Sequence, residues 1–245
     1  MLSHRNKELT PIKGILFDKD GTLLDFEATW HAIGDAMALK AADGDRGQAN
    51  LLMEAAGYDL AAGRFKADSI FAAGTNSDIV SLWYPALSHA DRAAMVTHFD
   101  TATAEYGAAQ AIPLIGIKEA LASLHAAGFT LGVATNDSTA GAERTLLALG
   151  VAQLFAAAYG YDAVANPKPA PDSVVAFCDL TGLKPSELAM VGDNRHDLEM
   201  GRAGGVGLNV GVLSGTGTRE SLLPLADVVL NSVADLPAYL MDRQA

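Results

Sequence analysis

Seven side chains in four short stretches could do chemistry together. Asp18 and Asp20 stand two apart after the apolar run Ile15-Leu16-Phe17, and Gly21-Thr22 follow. By strand alternation the two acids share one side of the chain. Carboxylates held that close repel unless a cation lies between them, and Mg²⁺ prefers oxygen ligands. Gly21 permits a tight turn and leaves a backbone N–H for an anion. Thr135 and Asn136 close a second apolar run, where hydroxyl and amide could bind an anion; alone they read as turn chemistry. Lys168 lies between Pro167 and Pro169. Alone it is a surface lysine, yet a rigid loop fixes a cation well and lysine is a common phosphate partner. Asp193 follows Gly192, and Asp197 comes four residues later. Helix capping and dipole compensation would explain that pair alone. A helix starting near Asn194 would also bring Asp197 close to Asp193. Jointly, the stretches supply a metal site, an anion donor and a fixed cation.

Such groups meet only if the elements before them end on one rim. The short apolar runs Ile15–Phe17, Phe129–Ala134 and Leu188–Val191 read as buried parallel strands, each ending in one of the polar stretches. Helix-like segments alternate with them: Lys118–Ala127, stopped by Gly128; Gly141–Leu149, stopped by Gly150; Asp172–Leu180; and Asp197–Ala203, stopped by Gly204-Gly205. Further strands are expected at Ala157–Tyr161, Val206–Val212 and Val228–Asn231. This alternation implies an α/β fold with a doubly wound, mostly parallel sheet, whose strand ends form a ligand crevice. Residues 26–107 break the pattern. Trp30, Ile33, Met37 and Ala41 recur at helical spacing, and Asp91 could cap a helix over Ala94–Tyr106. No strand is expected there. The domain reading is an α/β core from 1–25 and 108–245, with an all-helical cap at 26–107 serving as scaffold or as a lid over the rim.

Composition narrows the partners. Formal net charge is −12 over 245 residues, which disfavours nucleic acid and anionic membrane. A small anionic substrate needs only a few local cations. The single cysteine, Cys178, lies in an apolar helical run and reads as core, and its solitude fits a reducing cytoplasm. Met1–Lys13 is polar, without a signal region, and no apolar run reaches the ~18 residues of a membrane span. Gly211–Gly217 is glycine-rich but lacks Gly-Lys-Ser/Thr, so it reads as a connection rather than a P-loop. A monomer or homodimer is expected.

In order and spacing, Asp18-Lys19-Asp20-Gly21-Thr22, Thr135, Lys168-Pro169-x-Pro171 and Gly192-Asp193-x-x-x-Asp197 resemble the four motifs of the haloacid dehalogenase superfamily. The likeness is greatest to its phosphoglycolate phosphatase group. It implies a Mg²⁺-dependent phosphomonoester hydrolase acting on a small phosphorylated metabolite. Asp18 would be the nucleophile, and Asp20 general acid and then general base. Gly21, Thr135, Asn136 and Lys168 would bind substrate. Asp18, the Asp20 backbone carbonyl and Asp193 would ligate Mg²⁺, with Asp197 acting directly or through water. Lys19 departs from the apolar residue more usual there, and alternation points it away from the carboxylates. Rival readings are a sugar-phosphate mutase, a phosphonatase using a cap lysine (Lys40 or Lys66), and an idle binding protein. Asp20 argues against dehalogenation, whose leaving group needs no proton. Arg64, Lys66 and the Ser69–Asn76 connection are candidates for setting specificity, and His31 and His196 could touch substrate.

Overall fold

The strand β1 (Gly14–Phe17) has no exposed residue, and its side chains divide by alternation between two cores. Ile15 and Phe17 face one cluster with Leu121, Leu131 and Val191, while Leu16 faces another with Val174, Phe177 and Met190. A strand buried on both faces must lie inside a sheet covered on both sides. The computed structural model, which describes residues 11–244, shows that arrangement. The N-terminal stretch read from Met1 therefore lies, up to Thr10, outside the described residues.

After β1 the chain leaves the sheet for a long insertion of α1 (Phe26–Ala41), α2 (Arg46–Ala55), β2 (Tyr58–Asp59), β3 (Arg64–Phe65), α3 (Ile70–Ala73), α4 (Asn76–Trp83) and α5 (His89–Ala109). It returns as α6 (Ile117–Ala126), β4 (Thr130–Ala134), α7 (Thr139–Leu149), β5 (Phe155–Tyr159), α8 (Asp172–Thr181), β6 (Leu188–Gly192), α9 (Arg195–Gly204), β7 (Leu208–Val212), α10 (Arg219–Leu222), β8 (Val228–Leu230) and α11 (Leu236–Gln244). The six-stranded sheet runs β5-β4-β1-β6-β7-β8, and every pairing is parallel. The order reverses about β1, so the crevice opens beyond the carboxyl ends of β1, β4 and β6.

The insertion buries a core of its own, including Phe26, Trp30, Met53, Trp83 and Phe99. It is not purely helical, because Tyr58–Asp59 pair antiparallel with Arg64–Phe65. Two-residue strands leave no periodicity to read, and the aromatic packing of Phe65 on Tyr58 (5.0 Å) and Phe26 (5.1 Å) is what holds them. Ser88, not Asp91, caps α5: its Oγ accepts from Asp91 N, while Asp91 returns a carboxylate to the Ser88 hydroxyl. Helix α5 runs on to Ala109 and packs against α7 of the sheet layer. Asp100 on α5 also accepts from Tyr161 Oη (2.6 Å) and Asn76 Nδ2 (2.8 Å), joining insertion and sheet beside the crevice.

Candidate active site

Asp18 continues the line of β1, donating its N–H to Val191 O (2.8 Å), and is 6 % exposed. Asp193 ends β6. Asp197 lies in the first turn of α9, where its Oδ2 accepts from the N-cap Asn194 N–H (2.9 Å). Oxygen atoms of Asp18, Asp193 and Asp197 lie within 4.8 Å of one another. Lys168 reaches into this cluster from the proline loop. Its Nζ is 2.6 Å from both Asp18 Oδ1 and Asp197 Oδ1.

One ammonium cannot neutralise three buried carboxylates. Burial raises the Asp18 pKa to about 7, Asp197 and Asp20 repel its charge further, and Lys168 only partly offsets them. Burial, then Asp18 and Asp197, push Asp193 well above the ordinary carboxylate value. Burial works against the Lys168 charge, but Asp18 and Asp197 outweigh it and hold the ammonium above the usual lysine range. Surplus negative charge on hard oxygen donors fits a divalent cation.

A carboxyl with a folded pKa above its unfolded value binds its proton more tightly when folded. Between 3.8 and about 7 the folded state thus holds more protons through Asp18, and stability falls as pH rises. Melting in chelator is expected to drop from about pH 5 to about pH 8. Asp18→Asn should reduce that slope and added Mg²⁺ flatten it. A wild-type slope identical to that of Asp18→Asn would reject the assignment.

Thr135 follows β4, and its Oγ accepts from Asp137 N (3.1 Å), leaving the O–H to donate into the crevice. Thr135, Asn136, Lys168, Asp18, Asp20 and Asp197 all line one pocket. Two expected anion donors are corrected. The Gly21 N–H is not free: it donates to Leu24 O (2.9 Å), closing the turn. Gly21 instead has φ +82°, and a Cβ there would meet the Asp193 carboxyl at 2.7 Å. Glycine is required for close approach of the acid. The Asn136 amide is also committed, donating to Ala73 O (2.7 Å) and Lys168 O (3.2 Å). It braces the lysine loop and the insertion, and presents only Oδ1, which is buried without a partner.

Lys19 contradicts the alternation argument. Beyond Asp18 the chain curls instead of continuing as strand, with Asp20 bridging back to Leu24. That turns the Lys19 ammonium into the site, 2.7 Å from Asp20 Oδ2 and 2.9 Å from Asp137 Oδ2.

The loop after β7 is more than the connection its sequence suggests, because it closes over Asp193. Thr216 N donates to Asp193 Oδ2 (2.8 Å), and Ser214 Oγ donates to Gly21 O (2.8 Å). Its glycines were the available signal. A Cβ on Gly215 would sit 2.0 Å from Asp193 Oδ2. Gly215→Ala is therefore expected to weaken divalent-cation binding at least ~10-fold, the scale found for groups that orient metal ligands. Calorimetric Mg²⁺ titration checks this; unchanged affinity would exclude the loop from metal binding.

From the insertion, Phe71–Asn76 and the side chains of Trp30, Ile79, Trp83 and Phe99 roof the pocket. His196 also lines it, with Nδ1 3.3 Å from Ala73 O. His31 instead packs against Tyr58, with ring centroids 4.7 Å apart and the rings tilted by 33°. Arg64 and Lys66 line a different cleft, beside Ser214 and Thr216. Lys40 contacts His98 on a third surface.

Comparisons with known proteins agree with this geometry. The family model of haloacid dehalogenase-like hydrolases matches residues 12–205. Phosphoglycolate phosphatase of Escherichia coli (strain K12) is 34 % identical over 121 residues, 49 % of this chain and 48 % of that protein. Its Salmonella typhimurium counterpart is 33 % identical over the same span. The chain thus spans about half the length of the curated relatives it matches. Among solved structures, a "predicted phosphoglycolate phosphatase" from Haemophilus somnus superposes with a TM-score of 0.70 at 24 % identity, covering 93 % of this chain and 97 % of that one. A "putative haloacid dehalogenase-like hydrolase" from Bacteroides fragilis gives 0.73 at 18 %, covering 92 % and 99 %. Those two likenesses concern the fold. With the family model spanning most of the sheet and the insertion, the chain belongs to the haloacid dehalogenase-like hydrolases.

Proposed function

We propose that this chain is a Mg²⁺-dependent phosphomonoester hydrolase acting through an aspartyl-phosphate on Asp18. The observation that carries the reading is Lys168 Nζ, 2.6 Å from both Asp18 and Asp197 beside Asp193. A nucleophilic carboxylate cannot approach a phosphate dianion unless fixed cations offset the repulsion. Asp18, Asp193 and Asp197, with the Asp20 backbone carbonyl, would hold the metal ion, which when bound neutralises charge on the phosphoryl oxygens. Asp18 attacks phosphorus, the ester P–O bond breaks, and its electron pair leaves with the alkoxide, which takes a proton from Asp20. Water then attacks the phosphorus of the acyl phosphate, Asp20 removes its proton, and the P–O bond to Asp18 breaks to release phosphate and the free carboxylate. Thr135 O–H and Lys168 steady the phosphoryl oxygens. Residues 26–107 act as a lid whose Phe71–Asn76 segment meets the leaving group.

The substrate is a small phosphorylated metabolite, and phosphoglycolate is the first candidate because the curated relatives carry that name. One observation favours a second reading: the insertion contributes no Lys or Arg to the pocket wall, only aromatic, aliphatic and neutral polar side chains. An ester with an uncharged leaving group suits that wall better than one ending in a carboxylate. The same observation weighs against a Schiff-base lysine and hence against a phosphonatase.

Phosphate release from a panel of small phosphomonoesters, with Mg²⁺ and with chelator, tests both. Metal-dependent release is expected, and the ratio of glycolate to uncharged esters decides the substrate class. No release from any ester by folded, metal-loaded protein would overturn the hydrolase reading.

A further inference from the structure

The Lys168 cluster accounts for Asp18, Asp193 and Asp197 but leaves a second buried cation unused. Lys19 is 1 % exposed, and its ion pairs are made with carboxylates outside that cluster. Burying an ammonium costs several kcal/mol unless it is paired. Its pairs are Asp20 Oδ2 at 2.7 Å and Asp137 Oδ2 at 2.9 Å, and the Trp30 ring centroid is 5.2 Å away. These contacts are ionic, charge at short range rather than well-aligned hydrogen bonds. Trp30 Nε1 donates to the other Asp20 oxygen, Oδ1, at 2.6 Å. Each oxygen of Asp20 is thus gripped once.

The two grips differ in kind. Lys19 belongs to the same turn as Asp20 and is anchored by Asp137, just beyond β4. Trp30 belongs to α1, the first helix of the insertion. When the leaving group needs a proton, Oδ1 can exchange Trp30 for the leaving oxygen while Oδ2 stays with Lys19. We propose that Lys19, braced by Asp137, is a positioning residue that fixes the orientation of the Asp20 carboxyl for proton transfer to the leaving group. This rests on the acid role given to Asp20 above and adds to it the group that aims it. The proton passes from Asp20 to the leaving oxygen, which keeps the electron pair of the broken P–O bond. Geometry decides the efficiency of that transfer, since an acid misplaced by ~1 Å can lose ~10²-fold.

A leaving-group comparison separates this role from a structural one. The metal-loaded protein is assayed for kcat/KM with p-nitrophenyl phosphate, whose leaving group departs unprotonated, and with an alkyl phosphate, whose leaving group cannot. Because kcat/KM stops at the first irreversible step, the later base role of Asp20 does not enter. Lys19→Met should lower the alkyl-ester value at least ~10-fold more than the aryl-ester value, part of the ~10²–10⁴-fold that a general acid supplies. Lys19→Arg should restore most of the ratio. Asp137→Asn keeps the Lys19–Asp20 pair but loosens its anchor, and should shift the ratio the same way by less. Equal losses on both esters would make Lys19 structural and overturn the proposal. If Lys19→Met does not fold, an unshifted ratio in Asp137→Asn overturns it. The hydrolase reading is judged separately: Asp20→Asn must itself collapse the alkyl-to-aryl ratio, and if it does not, the acid assignment fails before Lys19 is reached.

Discussion

Asp18→Asn is expected to lower turnover by about 10⁴-fold or more while leaving the protein folded, because a neutral amide is no nucleophile toward phosphorus. The change is nearly isosteric, so the β1 end and the Val191 O contact should survive. It also removes one of three crowded negative charges, so the metal-free variant should be at least as stable as wild type near pH 8. Loss of turnover could then be confused with loss of the metal, since Asp18 is also a ligand in this reading. A quench experiment separates the two. Wild-type protein mixed with labelled ester and quenched in acid should retain base-labile label on Asp18; the variant should retain none even at saturating Mg²⁺. Wild-type-like turnover by folded Asp18→Asn protein would refute the nucleophile assignment.

Some of the site was legible in the sequence because it depends on what stands at a strand end. A short apolar run followed by Asp18, by Thr135 or by Gly192-Asp193 has few structural solutions, and parallel pairing brings those ends to one rim. Asp197 was legible for a similar reason, since helical pitch fixes where the first turn of α9 lies. What escaped was set by tertiary contact. Alternation mispoints Lys19, because it ends where the strand ends and the turn after Asp18 redirects the side chain. Thr216 reaches Asp193 across 23 residues of chain, and nothing local announces that closure except glycines that could have served other purposes. Asn136 lines the pocket but has no free donor. Its amide hydrogens were claimed by Ala73 and Lys168, partners 63 and 32 residues away. The hairpin of the insertion exists through the packing of Phe65 edge-on to Tyr58 and Phe26 and stacked on Phe71, which pattern alone does not encode.

Lys168→Met should have two effects whose sizes depend on different conditions. The first is kinetic. An ammonium placed on the phosphoryl oxygens resembles a donor in an oxyanion hole, and its loss should lower kcat about 10²–10³-fold. A loss below tenfold would mean that another group neutralises the phosphoryl charge. The second is thermodynamic. Lys168 is buried between Asp18 and Asp197, and removing one partner of a buried ion pair typically costs about 3–5 kcal/mol. That cost should appear in chelator near pH 8, above the Asp18 pKa of about 7, where the Asp18 carboxylate is charged. It should shrink as pH falls through about 7, since Asp18 then takes a proton and no longer needs the cation. Saturating Mg²⁺ should shrink it as well, by supplying charge to the same carboxylates. Urea unfolding of wild type and Lys168→Met at two pH values, with Mg²⁺ and with chelator, measures all of this. If the difference between the proteins is the same in all four conditions, the lysine stabilises the fold by packing its methylene chain, and the carboxylates do not share its charge. If it is large only in chelator at high pH, the lysine and the metal ion offset the same negative charge. The fixed cation would then let three acids stay together in one crevice while the metal site is being filled.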